Sequence, residues 1–262
     1  MAPSAQRTLY QFPISHYCEK ARWLIEAKGL PYTLKNLMPG THRGLAKRLG
    51  KGKGTVPVLV DGDVAVGDST EIALHLERTY PAPALLPPPG PERDKVLELE
   101  EYFDTVGIHV RRWAYGHIID GGANLGLMMF GEYPAPQRWL GKLMVPLIKR
   151  VLRKQYRIYP AQVEESRHMV LSGLDRLEKE IGGDPSRYLV GSSLTIADIT
   201  AASLLSVLVA PEGSAYALRP DNPMPKAIVQ LMEEVRARPA GQWVVRRYQQ
   251  DRHKAASQRQ AA

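Results

Sequence analysis

The stretch TLYQFPISHYCEKARWLIEAKGLPY, residues 8–32, decides the fold of the amino-terminal half. Its first part, TLYQF (8–12), is a short run rich in β-favouring residues and predicts a strand. From Ser15 to Lys28 the apolar residues recur at helical spacing, and Gly29 is typical of the residue after a helix. A strand that passes directly into a helix indicates an α/β unit.

The same alternation continues to residue 80. The next predicted elements are a strand at 32–37, a short helix at 41–50, strands at 56–60 and 64–66, and a helix that Asp68-Ser69 opens. Asp61-Gly62 lies between the last two strands, and Asp-Gly between apolar runs is a strong hairpin signal. The predicted order is βαβαββα.

A proline-rich segment separates this half from an all-helical one. Six of the eleven residues at 81–91 are proline, which predicts a stiff linker between a domain at 1–80 and a domain at 92–262. Helical patterns follow at 92–119, 136–159, 162–181, 196–209 and 225–249, with a break at Pro239. The polar tail at 251–262 is expected to fray.

Two features of the helical half have more than one interpretation. The Gly- and Pro-bounded segment 120–136 carries Met128-Met129-Phe130, which either line a pocket or plug the bundle. Thr195 and Asp198 have the spacing of a capping box, which predicts a helix that begins after Thr195.

Composition favours an ordinary globular protein of the cytoplasm. Hydrophobic residues are 44% and charged residues 24% of the chain, and the most apolar run, 199–210, is too short to span a bilayer. The single cysteine allows no internal disulfide. The net charge of +8 includes a basic helical face at 149–157, which we interpret as a solvated face. We therefore expect no nucleic-acid partner and no membrane partner, and the histidine spacing indicates no metal.

The motifs taken together resemble a cytosolic glutathione transferase of bacterial type. The resemblance rests on residues 8–32, GTVPVLVDGD (54–63), VGDSTEIALHLERTYP (66–81), the proline-rich linker and LTIADI (194–199). It implies a thioredoxin-like domain with a mixed four-stranded sheet, followed by an all-α bundle. It also implies a cytoplasmic homodimer that serves detoxification, with glutathione as co-substrate and a small hydrophobic electrophile as second substrate.

The resemblance assigns most of the glutathione contacts to two short motifs. Val56-Pro57 corresponds to the family's cis-proline site, where the backbone before the proline pairs with the cysteinyl part of glutathione as an added strand. Asp68 and Ser69 correspond to the residues that hold the γ-glutamyl ammonium and carboxylate, and they are also good capping residues. For the glycyl carboxylate we favour Lys53, with Lys51 and His42 as alternatives.

The catalytic residue implied by the resemblance is Ser15. Glutathione has to be held as thiolate, and a donor at a helix N-terminus favours that anion. Alignment on Arg22 places the family's serine or cysteine position at Ser15, and its tyrosine position at Gln11. Tyr10 is one residue away and faces the other side of a strand. Cys18, one turn after Ser15, is expected to be a buried core residue.

Tyr17, Trp113 and Tyr115 are the predicted residues of the electrophile pocket. Trp113 and Tyr115 are two residues apart, so they do not share one helix face. Two other functions stay open at this point. One is a glutathione-dependent thiol oxidoreductase that uses Cys18, and the other is a non-catalytic binding protein with the same fold.

Overall fold

The computed structural model describes residues 7–40, 42–50, 54–216 and 221–252. Its amino-terminal half is the predicted βαβαββα unit. The strands are β1 (Arg7–Gln11), β2 (Thr33–Asn36), β3 (Val58–Asp61) and β4 (Val64–Gly67), and the helices are α1 (His16–Ala27), α2 (His42–Leu49) and α3 (Ser69–Thr79). The sheet order is β2-β1-β3-β4. β1 runs parallel to β2 and antiparallel to β3, so the sheet is mixed as expected.

The carboxy-terminal half is helical, also as predicted. Its helices are α4 (Pro91–Ile118), α5 (Leu125–Phe130), α6 (Ala135–Gln155), α7 (Pro160–Ile181), α8 (Ile196–Val209), α9 (Lys226–Ala237) and α10 (Pro239–Arg247), followed by a π-helical turn at Tyr248–Arg252. Residues 81–90 of the linker contain neither helix nor strand, because the prolines lack the amide protons that either would need. Pro91, the last residue of the predicted linker, is the first residue of α4.

Helix α8 forms the centre of the molecule. It is apolar on all sides and is buried along almost its whole length, as expected of a helix that other elements surround. Helices α1 and α4 both pack against it, so it joins the two domains. Helix α8 begins with the predicted capping box, in which the Asp198 carboxylate accepts a hydrogen bond from the Thr195 N–H at 2.9 Å. The same carboxylate accepts a second hydrogen bond from the Leu189 N–H at 2.8 Å.

The sequence patterns did not predict two short elements, helix α5 and the π-helical turn. Helix α5 lies inside the segment 120–136, where we expected a break between helices, and Asn124 caps it by accepting from the Leu127 N–H at 2.9 Å. A helix of six residues between glycines is too short to give a periodic signal. The π-helical turn includes Asp251 and Arg252, the first two residues of the expected frayed tail. Arg252 pairs with Glu19 of α1, so long-range contacts hold this turn in place.

Candidate active site

The predicted glutathione motifs lie at one end of the sheet. The register pairs Tyr10 with Val58 across β1 and β3, and Val58 with Gly67 across β3 and β4. The loop after β1, the start of β3 and the end of β4 are therefore neighbours. The Asp68 N–H donates to the Pro57 carbonyl at 3.2 Å, which joins two of these motifs directly. Helix α1 begins at the same end with Ser15.

Ser15 is the N-cap of α1. Its backbone is extended, with φ −84° and ψ 121°, and its Oγ accepts from the Cys18 N–H at 3.3 Å. The side chain is half-buried and lines the main cavity. A serine hydroxyl that accepts this bond still has its own proton to donate. Ser15 is thus placed to donate to an anion at the positive end of a helix.

Cys18 lies one turn further on, inside the core. It is fully buried, and this burial raises the pKa of its thiol. A buried thiol with a raised pKa is a poor nucleophile, because the reactive species is the thiolate. The position fits the expected role of Cys18 as a core residue.

The two alternatives on β1 have other contacts. The Tyr10 ring lies against the Lys35 ammonium, 5.6 Å from it, on a partly exposed face of the sheet. Gln11 is only 2% exposed and donates to Asn36 at 2.9 Å, and it also accepts from Arg22. Neither residue belongs to the wall of the main cavity.

The Val56–Pro57 peptide bond is cis, as the resemblance implied. Among the residues that the structure describes, no backbone group pairs with the Val56 N–H or carbonyl. Unpaired backbone groups beside a sheet are suited to an added extended strand. The start of β3 therefore has the hydrogen-bonding groups that a peptide-like ligand requires.

Asp68 and Ser69 form the entry to α3. Asp68 has φ 84°, a conformation that is rare for residues other than glycine, and its carboxylate accepts from the Thr70 N–H at 3.0 Å. Ser69 is buried at the first helical position. Such a residue conformation at a helix start is often found at binding sites.

Of the three candidates for the glycyl carboxylate, the structure places only His42. Lys51 and Lys53 lie outside the described residues. His42 is half-buried, lines the cavity with Arg43 beside it, and has a buried Nδ1 without a hydrogen-bond partner among the described residues. Burial, with a contribution from Arg43, lowers the pKa of His42.

The main cavity has a volume of about 340 Å³ and extends from Ser15 to the helical half. Its polar lining residues include Ser15, His16, His42, Arg43, Arg111 and Gln155. Most of its lining is apolar, and the helical half contributes Met128, Met129, Met144, Leu147, Ile148, Val151 and Leu152. The 120–160 region thus contributes to the cavity wall. Met128 and Met129 line the cavity, whereas Phe130 is buried in the core, so each of the two interpretations of this segment holds in part.

The three aromatic residues predicted for the electrophile pocket occupy different places. Tyr115 lines the main cavity, and Trp113 lines a smaller neighbouring cavity of about 80 Å³, as their spacing of two requires. Tyr17 lines neither cavity: its hydroxyl donates to the Asp104 carbonyl at 2.8 Å, so it lies in the contact between α1 and α4.

Arg111 is a cavity residue that the sequence did not reveal. Its guanidinium lies over the Tyr156 ring, 4.1 Å from the centroid, and 5.4 Å from the Tyr17 ring. It lines the main cavity together with Ser15. Trp113 and Tyr115 were predicted pocket residues on the same helix. Only the three-dimensional arrangement shows that Arg111, two residues before Trp113, also lines the main cavity.

Tyr216 is a second residue found only in the structure. It lies in the segment after α8, lines both cavities, and its hydroxyl donates to the Ile14 carbonyl at 2.5 Å. The contact joins positions 202 residues apart in sequence, so no local pattern indicates it. It holds the loop that carries Ser15.

His16, next to Ser15, is a neutral side chain at physiological pH. Burial and the nearby Arg111 lower the pKa of His16 to about 3, although its ring nitrogen Nε2 lies 3.1 Å from the Gly107 carbonyl. A neutral imidazole that donates to a carbonyl positions α1 against α4. Outside the masked segments, the structure contains neither a cluster of metal-ligating side chains nor a helix with the length and hydropathy needed to cross a bilayer.

Two family models match the chain. Residues 9–84 match the glutathione S-transferase N-terminal domain, and residues 160–225 match the C-terminal domain. The chain is 38% identical to glutathione S-transferase Z2 of Arabidopsis thaliana over 85 residues, which are 32% of this chain and 38% of that protein. The alignment thus spans well under half of the curated relative.

Solved structures resemble the chain over most of its length. A glutathione S-transferase from Rhodospirillum rubrum is 25% identical, with a TM-score of 0.53 and 90% of each chain covered. One from Methylobacterium radiotolerans, in complex with glutathione sulfonate, is 20% identical, with a TM-score of 0.55 and 92% and 94% of the two chains covered. With both domains in order and the thioredoxin-like fold, the chain belongs to the glutathione S-transferase superfamily.

Proposed function

We propose that the protein is a glutathione transferase of the serine type, in which Ser15 holds bound glutathione as thiolate for attack on a hydrophobic electrophile. The observation that carries this proposal is the position of Ser15. Its hydroxyl caps α1, and its side chain lines a cavity whose lining is mostly apolar. Sulfur and a hydrophobic electrophile can therefore meet inside that cavity, beside Ser15.

Thiolate formation at neutral pH requires stabilisation of the anion, since a free thiol titrates near pH 8.5. The Ser15 hydroxyl supplies one hydrogen bond, and the N-terminus of α1 supplies a partial positive charge. Arg111 adds a full positive charge on the same cavity wall. His16 is neutral, so it contributes no charge.

The tripeptide is proposed to lie along the end of the sheet. Val56 offers its backbone groups to the cysteinyl residue, and Asp68 and Ser69 receive the γ-glutamyl end at the start of α3. At the glycyl end, the favoured Lys53 and its alternative Lys51 lie outside the described residues, and His42, which lines the cavity, is the other candidate. The complex of the Methylobacterium relative with glutathione sulfonate supports glutathione as the ligand class.

A thiol oxidoreductase that uses Cys18 is the less favoured function. Its mechanism requires a cysteine that a disulfide can reach, whereas Cys18 has no exposed surface. A non-catalytic binding protein would also have the fold and cavity. The presence of Ser15 on the cavity wall and the open backbone at Val56 favour a working glutathione site.

Ultraviolet absorbance of bound glutathione tests the proposal directly. The thiolate absorbs where the thiol does not, so a pH titration of the complex measures the pKa of the bound thiol. We expect that pKa to lie below 7, together with conjugation of a hydrophobic aryl halide. Tight glutathione binding without thiolate at neutral pH would favour the non-catalytic alternative.

Sedimentation velocity tests the homodimer that the family resemblance implies.

A further inference from the structure

Helix α6 exposes a line of large apolar side chains. Trp139, Leu143, Leu147 and Val151 follow one another at intervals of four residues, so they lie along one side of the helix, and Leu140 lies beside them. Their exposed fractions are 67%, 60%, 58%, 45% and 45%, respectively. A continuous exposed apolar surface of this kind usually marks a binding surface.

The same helix is strongly basic. Its 21 residues include Arg138, Lys142, Lys149, Arg150, Arg153 and Lys154, and no aspartate or glutamate. Four of the basic residues recur at intervals of four and seven and so form one basic edge beside the apolar line: Arg138, Lys142, Lys149 and Arg153. Lys149 donates to the Ile119 carbonyl at 2.6 Å and Arg153 pairs with Asp120, while Lys142, Arg150 and Lys154 are exposed.

The rest of the protein covers only the opposite face of α6. Gly141 faces the Phe130 ring of α5 so closely that a Cβ there would lie 2.4 Å from it, and Ile148 and Leu152 are buried. Both α5 and α6 lie between the two segments, 9–84 and 160–225, that match the family models. Leu147 and Val151 also line the main cavity, but Trp139, Leu140 and Leu143 line neither cavity. All five side chains are exposed, so packing within the described chain does not explain this apolar face.

We propose that α6 is an interfacial helix that binds the surface of an anionic lipid bilayer. Apolar side chains on one face, Lys and Arg beside them, and a length of about 31 Å are the features of a helix that lies in the plane of a membrane. Trp139, at one end of the apolar line, is suited to the headgroup region. Insertion of the apolar line places Lys142, Arg150 and Lys154 near the lipid phosphates.

The positive charge of α6 favours an anionic bilayer over a second copy of this chain as the partner of the apolar line. Pairing two copies through this face would bring two helices with six basic side chains each, and no acidic ones, into contact. Such like charges repel at short distance and disfavour self-association. An anionic lipid surface, in contrast, attracts the basic side chains of α6. The apolar line favours lipid over nucleic acid, because only lipid offers an apolar interior to these side chains. The proposal is independent of the glutathione chemistry.

Trp139 provides the test, because it is the exposed one among the four tryptophans, while Trp23, Trp113 and Trp243 are buried. The full-length protein is mixed with vesicles of phosphatidylglycerol and phosphatidylcholine at low salt, and tryptophan emission and co-sedimentation are measured. We expect a blue shift and co-sedimentation with the anionic vesicles. Both should be weak with phosphatidylcholine alone and should decrease as salt screens the charges.

Leu143→Glu and Ile108→Glu form a matched pair of variants. Both replace an exposed apolar residue on a helix, and neither residue lines a cavity, but Ile108 lies on α4. We expect Leu143→Glu to weaken vesicle binding by at least about tenfold and Ile108→Glu to leave it unchanged. Lys142→Gln combined with Arg150→Gln should weaken binding to anionic vesicles and reduce its salt dependence. Thermal melts verify that each variant is folded.

Three outcomes would overturn the proposal. One is no blue shift and no co-sedimentation with anionic vesicles. Another is equal loss of vesicle binding in Leu143→Glu and Ile108→Glu, which would place the contact elsewhere. The third is a blue shift that follows protein concentration without vesicles, together with a larger sedimenting species, which would assign the α6 face to a second copy.

Discussion

The Cys18 amide donates to the Ser15 hydroxyl at 3.3 Å, so the only cysteine of the chain and the proposed catalytic serine are joined across the first turn of α1. The two side chains nevertheless differ in their surroundings. Ser15 lines the cavity, whereas Cys18 is buried in the core. This difference assigns the proposed chemistry to the serine and the packing to the cysteine.

Replacing Ser15 by alanine should abolish thiolate formation while glutathione still binds. The variant loses the hydrogen bond to sulfur but keeps the contacts at the sheet end, so the affinity changes little. Loss of one such donor lowers kcat by about 10² to 10³. Thiolate absorbance and conjugation rate measure the first effect, and calorimetry measures the second. Persistent thiolate absorbance in Ser15→Ala would assign the donor role to another residue.

Replacing Cys18 by alanine should leave turnover within about twofold of the unchanged protein, since the buried thiol does not contact the cavity. The small void should lower the free energy of unfolding by about 1 kcal/mol. Steady-state kinetics and chemical denaturation measure the two quantities. Complete loss of turnover in a folded Cys18→Ala variant would favour the oxidoreductase function instead.

Arg111→Met should raise the pKa of the bound glutathione thiol, because the variant removes a positive charge from the cavity wall but keeps the length of the side chain. A nearby cation changes such a pKa by on the order of one unit. Arg150→Met is the matched control, since Arg150 is exposed and lies outside the cavity wall. Identical thiolate titrations for the two variants would exclude Arg111 from stabilising the anion.

Arg252→Met should destabilise the protein strongly. Arg252 donates to Glu19 at 2.8 Å and also pairs with Glu26, and all three side chains are largely buried. Removal of one partner of a buried ion pair costs about 3 to 5 kcal/mol. Arg246→Met, on the exposed side of α10, should change stability by less than about 0.5 kcal/mol. Equal melting temperatures of the two variants would contradict the contact.

The same cluster predicts a stability loss in acid. Burial alone would raise the pKa of Glu19, but Arg252 and Arg22 lower it from 4.5 to about 2. Because the folded pKa is below the unfolded one, the stabilisation is present above about pH 4.5 and is lost as the pH falls towards 2. Denaturation at a series of pH values measures this slope, and Glu19→Gln should reduce it. An unchanged slope in Glu19→Gln would assign acid sensitivity to other groups.

Local patterns predicted most elements of the fold. Asp61-Gly62 predicted the hairpin between β3 and β4, and Thr195 with Asp198 predicted where α8 begins, because each signal depends on neighbouring residues. Helix α5 was missed, since six residues between glycines contain no measurable period. The basic residues at 149–157 were interpreted as a solvated face, and sequence alone did not show that Trp139, Leu143 and Leu147 are exposed beside them.

The sequence by itself determined the order of the strands and of the long helices, and the position of Ser15 at the start of a helix, because short-range spacing encodes these features. The family was indicated by the resemblance of the sequence motifs, taken in order along the chain. Tertiary structure alone decided which side chains share the cavity. Arg111 on α4 and Tyr216 after α8 line the same cavity as Ser15. Arg252, at the end of the described chain, pairs with Glu19 of α1. Such contacts depend on how elements far apart in the sequence pack against each other, and the local spacing of residues does not predict that packing.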